Sequence, residues 1–406
     1  MTPAAATGAP DWSFRADEAA HAVTSLFGQR LFFLPGTHLA AVTRPSGGLR
    51  NVVRPWHYWW QAQYLDCLVD AGRRELGSEG RPGTSSDGGN RPGAGKLGSR
   101  LVTGIWLRNF LSVVNNYYDD MAWLALSTLR LEKLAEDTGR PAGRERNARI
   151  LKRLTGQFDS ASTDDLGGGT FWSTKRDFKN TPATAPVALY YARTGRAAKA
   201  QALLDWLNAR LYDPEQGLYR DGLRIGGSGE AVLEGAIYTY NQGPVLGALL
   251  ELGGAANLAG ADALLASVAR SLTLPVTLAA RSSTVLRCEG TGDGGLFTGI
   301  LVRYLALAAA DARLPAESRA TAAMLVNDTA AAFWEGRRVV SAEEPLARRG
   351  TRMVFSARPE VPAALSYPAG AAVELSTQLQ AWMVLEAAAS IAEKAGHPAP
   401  GTPAGN

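Results

Sequence analysis

Cysteine and histidine are scarce in this chain of 406 residues. It holds two cysteines, Cys67 and Cys288, and four histidines, none of them in a CxxC or HExxH pattern. Two cysteines form one disulfide at most, which is too few for a disulfide framework, and the scattered histidines have no metal-ligand spacing. The sequence therefore implies neither a metal site nor another cofactor.

Long runs of one residue type are also missing. No stretch approaches the roughly 18 uninterrupted apolar residues of a membrane span. The net charge of +4 comes from 42 basic and 38 acidic residues without a long basic run, so no nucleic-acid partner is expected. The first residues lack the basic and apolar segments of a signal peptide. We expect a soluble, cytoplasmic protein, unless a leader was removed.

Helical periodicity is abundant. Hydrophobic residues make up 46% of the chain, enough for a core, and recur at helical spacing. Helices are predicted at 56–68, 106–115, 124–134, 185–192, 198–211, 242–252, 261–272, 296–310, 316–334 and 378–395. Strands are predicted only at 337–340 and 351–355. Helices joined by short connectors pack as hairpins, so the sequence predicts an all-α ring of helical hairpins.

The same pattern predicts the domain organisation. Residues 1–396 form one domain in this interpretation. The segment 78–99 is rich in Gly and Pro and poor in apolar residues, which predicts a mobile loop. Residues 397–406 are predicted to be a disordered tail.

The most informative segment is 115–123, where two adjacent carboxylates lie in an aromatic run, Asn-Asn-Tyr-Tyr-Asp-Asp-Met-Ala-Trp. Ionised Asp is costly to bury, and a neighbouring carboxylate raises one of the two pKa values. The pair Asp119 and Asp120 can therefore offer one proton and one negative charge. Acid-assisted cleavage of an acetal needs both, because one carboxyl protonates the leaving oxygen and the other stabilises or traps the cation.

Acidic pairs also cap helices, and capping is the more common role of such a pair taken alone. Capping predicts solvent-facing surroundings, whereas Tyr117, Tyr118 and Trp123 predict a cleft at the start of a helix. Successive Cα atoms are about 3.8 Å apart, which suits the roughly 5–5.5 Å carboxyl separation of retaining glycosidases better than the wider inverting distance.

Other polar and aromatic residues stand at or near predicted helix starts. Each taken alone is also consistent with a cap or a core residue. In a ring of hairpins, however, the starts of the inner helices converge on one face. The candidate substrate-binding residues there are Trp59, Trp60, Tyr118, Asn180, Tyr240, Asn241, Gln242, Asp293 and Phe297. The glycine run 167–169 predicts a backbone close to the substrate.

Five segments, in this order, resemble glycoside hydrolase family 76, the α-1,6-mannanases and related transglycosidases. They are Trp-Trp-Gln-Ala at 59–62, Tyr-Asp-Asp-Met-Ala-Trp at 118–123, Gly-Gly-Thr-Phe-Trp at 168–172, Tyr-Asn-Gln-Gly at 240–243 and Asp-Gly-Gly-Leu-Phe-Thr-Gly-Ile at 293–300. The resemblance implies an (α/α)6 barrel and retaining cleavage of α-1,6-linked mannosides. It implies Asp119 as nucleophile and Asp120 as general acid/base, with Asn241, Gln242, Asp293 and Phe297 lining the sugar subsites.

Alternatives stay open at this point. Water and an acceptor sugar compete for one glycosyl-enzyme intermediate, so the same residues also suit a transglycosylase on α-mannosides. A catalytically silent carbohydrate-binding protein predicts a disrupted carboxylate pair, and the pair is intact. Sugar epimerases with α/α rings rely on histidine pairs, which these scattered histidines do not supply. The expected partner is an oligosaccharide or a mannan-type glycan.

Overall fold

The computed structural model describes residues 10–45, 56–78, 93–139 and 143–396. The predicted tail and positions 79–92 of the predicted loop lie outside the described residues. The helices are α1 Trp12–Phe27, α2 Tyr58–Ser78, α3 Ala94–Arg108, α4 Tyr118–Asp137, α5 Arg144–Ala161, α6 Thr181–Arg193, α7 Ala197–Arg210, α8 Thr239–Leu252, α9 Gly254–Ser271, α10 Gly294–Ala310, α11 Ala316–Glu335, α12 Ala363–Ser366 and α13 Leu375–Gly396.

The strands are short and pair antiparallel in small sheets. They are β1 Gly28–Gln29, β2 Leu39–Ala40, β3 Thr43–Arg44, β4 Phe178–Asn180, β5 Tyr212–Asp213, β6 Leu218–Tyr219, β7 Gly222–Ile225, β8 Ala231–Glu234, β9 Thr273–Leu278, β10 Arg281–Leu286, β11 Arg338–Val339, β12 Met353–Val354 and β13 Val373–Glu374. The pairs are β1–β2, β3–β13, β5–β6, β9–β10 and β11–β12, and one sheet has the order β4–β7–β8.

Six helices close an inner ring. Around it, α2 packs on α4, α4 on α6, α6 on α8, α8 on α10, α10 on α13, and α13 on α2. Each inner helix also packs on a neighbour outside the ring, namely α3, α5, α7, α9, α11 or α1. This arrangement is an (α/α)6 barrel and confirms the predicted fold class.

The two layers differ in how much of each helix is apolar. In α6 every residue from Thr181 to Tyr191 is buried, because this helix has neighbours on all sides. The outer helix α5 buries one stripe, including Ile150, Leu154 and Phe158, and turns its charged residues outward. Burial of each such side chain stabilises the fold by about 1.5–3 kcal/mol. Because the inner helices are buried all round and the outer helices on one face, the core lies within the inner ring and between the two rings.

Two predictions on local structure were wrong. Residues 94–99, assigned to the mobile loop, form the start of α3, where the missing side chain of Gly98 allows close approach to Leu65 and Leu131. The helix predicted at 106–115 ends at Arg108. The side chain of Asn109 donates to the main-chain oxygens of Ser112 and Val114, and this clamp replaces helical hydrogen bonds.

The predicted strands at 337–340 and 351–355 are confirmed as the pair β11–β12, whereas the β9–β10 hairpin was not predicted. Both cysteines are free thiols. Among the described residues, no helix combines the length with the apolar character that crossing a membrane requires.

A network of paired charges ties inner helices together away from their N-terminal ends. Arg303 of α10 binds Asp66 at 3.0 Å and Asp70 at 2.8 Å, both on α2. Arg130 of α4 binds the same two carboxylates. A cavity of about 860 Å³ opens beside this network and is lined by residues from the later turns of α2, α4 and α13. The network therefore joins three inner helices near the middle of their length.

Candidate active site

The N-terminal ends of the inner helices carry the predicted site, and side chains from different helices meet there. Asp119 and Asp120 occupy the first turn of α4, where free N–H groups and the helix dipole favour negative charge. Asp293 immediately precedes α10 and accepts from the indole of Trp59, at 3.2 Å, on α2. Tyr240 of α8 lies near both carboxylates: burial raises the pKa of its hydroxyl, and the charges of Asp119 and Asp293 add to this effect. The starts of four inner helices, α2, α4, α8 and α10, thus share one site.

The surroundings of Asp119 favour the ionised carboxylate more than those of Asp120 do. Its Oδ2 accepts from the indole nitrogen of Trp172 at 3.1 Å, while its Oδ1 is buried without a hydrogen-bond partner. Burial is the main reason that the pKa of Asp119 is raised to about 7, and the charge of Asp221 adds to this effect. Backbone N–H groups of 119 and 120 and the Trp172 indole counteract it.

Asp120 is the member of the pair that holds a proton more tightly. Burial, and next the charge of Asp119, raise the pKa of Asp120 well above its usual value. The Asn115 side chain donates to its Oδ2 at 2.6 Å and lowers that pKa. Asp120 therefore binds a proton more tightly than Asp119, so the singly protonated pair carries its proton on Asp120 and its negative charge on Asp119.

A third carboxylate, Asp221, lies beside the pair and was not predicted. It follows the β5–β6 hairpin, and its Oδ1 accepts from the side chain of Asn241 at 3.3 Å. Burial raises the pKa of Asp221 to about 6. Its main-chain oxygen accepts from Thr181 N, which fixes it to the start of α6. The candidate residue Asn241 is fully buried and positions this carboxylate.

Two clusters of aromatic rings accompany the carboxylates of the site. Tyr240 stacks on Phe297 with 3.8 Å between ring centroids and 12° between planes, and Trp59 lies 6.4 Å from Phe297. Near Asp119, the ring of Trp172 lies 4.9 Å from that of Tyr117. Trp172 belongs to a segment that the sequence singled out, yet it was missing from the predicted binding residues. Its indole contacts Asp119 only in the folded chain, because the two residues are 53 positions apart in the sequence.

The predicted binding residues fall into two groups. Trp59, Tyr240, Asp293 and Phe297 present surface to the site, whereas Trp60, Tyr118, Asn180, Asn241 and Gln242 are buried. Trp60 donates to Asp293 at 2.8 Å and stacks on His57. Asn180 caps α6 by accepting from Ala183 N at 3.1 Å.

The side chain of Gln242, a predicted sugar contact, is hydrogen-bonded within the protein. Its Oε1 accepts from Tyr219 N at 2.9 Å, and its Nε2 donates to the main-chain oxygens of Tyr219 and Tyr238. Both N–H groups of the amide are therefore used within the protein. Gln242 thus holds β6 against the start of α8, and its contact with a sugar stays a prediction.

The glycine run 167–169 packs closely against an indole. A Cβ on Gly169 would lie 2.6 Å from the ring of Trp206, so the close approach to this indole already requires a glycine. Among the described residues, no three His, Cys, Asp or Glu side chains are grouped to hold a metal ion.

An (α/α)6 barrel whose ring end carries two adjacent carboxylates among aromatic rings supplies the acid and the negative charge that glycoside cleavage requires. The model of glycosyl hydrolase family 76 matches residues 37–343 of the chain. Because the match covers more than half of the chain, the protein belongs to glycosyl hydrolase family 76 and is a glycoside hydrolase. A comparison with curated proteins finds no match.

Solved structures agree with this assignment. The family 76 α-1,6-mannanase of Salegentibacter sp. HEL1_6 is 27% identical, with coverage of 94% of this chain and 100% of that chain and a TM-score of 0.72. An inactive variant of that enzyme, with two consecutive aspartates changed to asparagine, was solved with α-1,6-mannotriose and is similar with 26% identity and a TM-score of 0.73. The Lin0763 protein of Listeria innocua, at 22% identity and 96% and 99% coverage, shares the fold with a TM-score of 0.73.

Proposed function

We propose that the protein is a retaining endo-α-1,6-mannanase in which Asp119 is the nucleophile and Asp120 the general acid/base. The observation that carries this proposal is the unequal environment of the two adjacent carboxylates. Asp119 is hydrogen-bonded by groups that stabilise its charge, while burial and its charged neighbour keep Asp120 protonated. A retaining mechanism needs this division of roles.

The chemistry follows from the two environments. The ionised Asp119 attacks the anomeric carbon with its carboxylate while Asp120 donates a proton to the leaving glycosidic oxygen. Asp120, now ionised, then removes a proton from water, and this water releases the mannosyl group from Asp119. The Asn115 side chain remains a donor to Asp120 in its ionised form, so it stabilises the base of the second step.

The aromatic rings support binding of several sugar residues. One cluster, Tyr117 and Trp172, lies next to Asp119, and the other, Trp59, Tyr240 and Phe297, lies next to Asp293. Two separate ring clusters offer more than one sugar-binding position, as the endo cleavage proposed here requires. The α-1,6-mannooligosaccharide complex of the similar Salegentibacter mannanase variant supports the choice of substrate.

The test is incubation of the protein with α-1,6-mannotetraose, followed by NMR of product length and anomeric configuration. We expect shorter oligosaccharides released first as the α-anomer, and no release by Asp119→Asn or Asp120→Asn. Asp205→Asn, which changes an exposed carboxylate, is the control and should match the wild type. Products longer than the substrate would instead establish transglycosylation, and binding without turnover would overturn the assignment as a hydrolase.

A further inference from the structure

Lys179 is a buried lysine that the proposed mechanism does not use. It lies in β4 and is 0% exposed. Its Nζ donates to the main-chain oxygens of Thr163 at 2.6 Å, Asp165 at 2.8 Å, Gly168 at 2.8 Å and Gly169 at 3.1 Å, and to Thr163 Oγ1 at 3.0 Å. The segment 163–169 thus surrounds one ammonium group with five oxygens.

This arrangement is closer to the coordination of a metal cation than to an ordinary lysine contact. An ammonium group has three N–H donors, fewer than the five acceptors around it. Main-chain carbonyl oxygens are typical ligands of hard cations. Burying an ammonium is costly unless it is compensated, and the ring of Phe171, 4.6 Å from Nζ, adds a cation–π contact.

The backbone of the segment is held in an uncommon conformation. Leu166, Gly167, Gly168 and Gly169 have φ values of 55°, 81°, 128° and 77°. The three glycines adopt positive φ readily, whereas for Leu166 it is a costly conformation that its surroundings must hold. The ammonium of Lys179 binds the carbonyl oxygens of Gly168 and Gly169, while the indole of Trp206 donates to that of Leu166 at 3.1 Å. Lys179 thus holds the segment on one side and Trp206 on the other.

The segment leads directly to the residue that contacts the proposed nucleophile. Phe171 pairs with Lys179 as an isolated bridge, and Trp172 N donates to the main-chain oxygen of Phe178 at 2.8 Å. The indole of Trp172 then donates to Asp119. The segment ends at Gly169, three residues before Trp172, so its displacement would also move Trp172.

We infer that Lys179 is a positioning residue that acts as a tethered cation: its ammonium fills the oxygen cage formed by 163–169 and thereby keeps Trp172 on Asp119. The charged groups around it are Asp164, Asp165 and Arg176. Burial lowers the pKa of Lys179 to about 8, while Asp165 and Asp164 act in the opposite direction. The cage thus holds a charged ammonium at neutral pH.

The first test does not depend on catalysis. Lys179→Ala empties the cage, which a free ammonium or potassium ion is then expected to enter. We expect ammonium chloride and potassium chloride to raise the Tm of Lys179→Ala above its value in N-methylglucamine chloride at equal ionic strength. Lys179→Met, which fills the cage, and Lys133→Ala, an exposed control, should show no such difference. Equal Tm values for Lys179→Ala in all three salts would overturn the inference.

The second test measures positioning and rests on the proposed function. Lys179→Met and Trp172→Phe should both move the acidic limb of kcat/KM to higher pH, and the double variant should move it no further than one change alone. Ammonium should return the limb of Lys179→Ala toward the wild type. An unshifted limb in active Lys179→Met would overturn the inference.

Thr163→Val serves if the Lys179 variants do not fold. It removes one of the five acceptors, so we expect a smaller shift of the acidic limb in the same direction, and an unshifted limb would overturn the inference. Absence of hydrolysis in the wild type would instead overturn the proposed function, and the salt dependence of unfolding would still test the cage.

Discussion

Replacing Trp172 by Phe tests how the protein sets the charge of its proposed nucleophile. The change keeps an aromatic ring beside Tyr117 and removes the N–H group that donates to Asp119 at 3.1 Å. A hydrogen bond to a charged group contributes about 1.5–3 kcal/mol. An N–H donor stabilises the ionised carboxylate more than the protonated one, so the loss falls mainly on the ionised form of Asp119.

The direction and size of the effect follow. The indole lowers the pKa of Asp119, so its removal raises that pKa from about 7. At about 1.36 kcal/mol per pH unit, the lost bond corresponds to a rise of roughly one to two units. The acidic limb of kcat/KM should move up by that amount, because only the ionised carboxylate attacks. A loss of roughly tenfold or more at pH 6 should shrink to a small one at pH 9.

The assay is the initial rate on α-1,6-mannotetraose at subsaturating concentration from pH 4 to pH 10. Trp382→Phe is the matched control, because its indole also donates to a carboxylate, that of Glu386, but on α13 and outside the site. Its acidic limb should coincide with that of the wild type. A Trp172→Phe limb at the wild-type position, with the rate lowered equally at every pH, would refute the role given to this hydrogen bond.

Three further substitutions test the acidic limb, the alkaline limb and the stability of the fold in turn. Asp221→Asn removes a charge that raises the pKa of Asp119, so the acidic limb should move to lower pH in the same rate assay. Asn115→Ala removes a bond that lowers the pKa of Asp120, so the alkaline limb should move to higher pH. Arg303→Met leaves buried carboxylates on α2 short of a partner, so the free energy of unfolding in urea should fall by about 3–5 kcal/mol, with kcat/KM of the folded enzyme unchanged.

Each of these predictions has a defined counter-result. Asn116→Ala is the control for Asn115, since this neighbouring side chain is exposed, and it should leave the alkaline limb in place. An acidic limb of Asp221→Asn that moves upward would contradict the charge effect assigned to Asp221. Unchanged stability of Arg303→Met would show that Arg130 alone compensates the two aspartates.

The sequence predicted the barrel well because its inner helices are apolar over most of their surface. The predicted helix 185–192 lies within α6, and 296–310 nearly coincides with α10. The errors arose where side chains override periodicity. Asn109 ends α3 early by binding main-chain oxygens, and small residues such as Gly98 allow a helix in a segment whose composition is typical of loops.

The site was predicted in part for a related reason. Asp119 and Asp120 are adjacent in the sequence, so their pairing needs no knowledge of the fold. Asp221 lies in a turn about a hundred residues later, and only the packing of β7 against β4 brings it near the pair. The amide of Gln242 is the kind of group that binds sugars, and the fold adds a contact with the backbone of Tyr219 that its local sequence does not indicate. Spatial neighbours of this kind have no signal in local sequence.

Covalent trapping of the nucleophile tests the central claim most directly. A 5-fluoro-mannosyl fluoride carries a good leaving group, and its ring fluorine slows both steps by destabilising the oxocarbenium-like transition state. After incubation with this probe, digestion and peptide mass spectrometry should find one mannosyl adduct, carried by Asp119, and none in Asp119→Asn. An adduct on Asp120 or Asp221, or release of the inverted β-anomer without any adduct, would contradict the account.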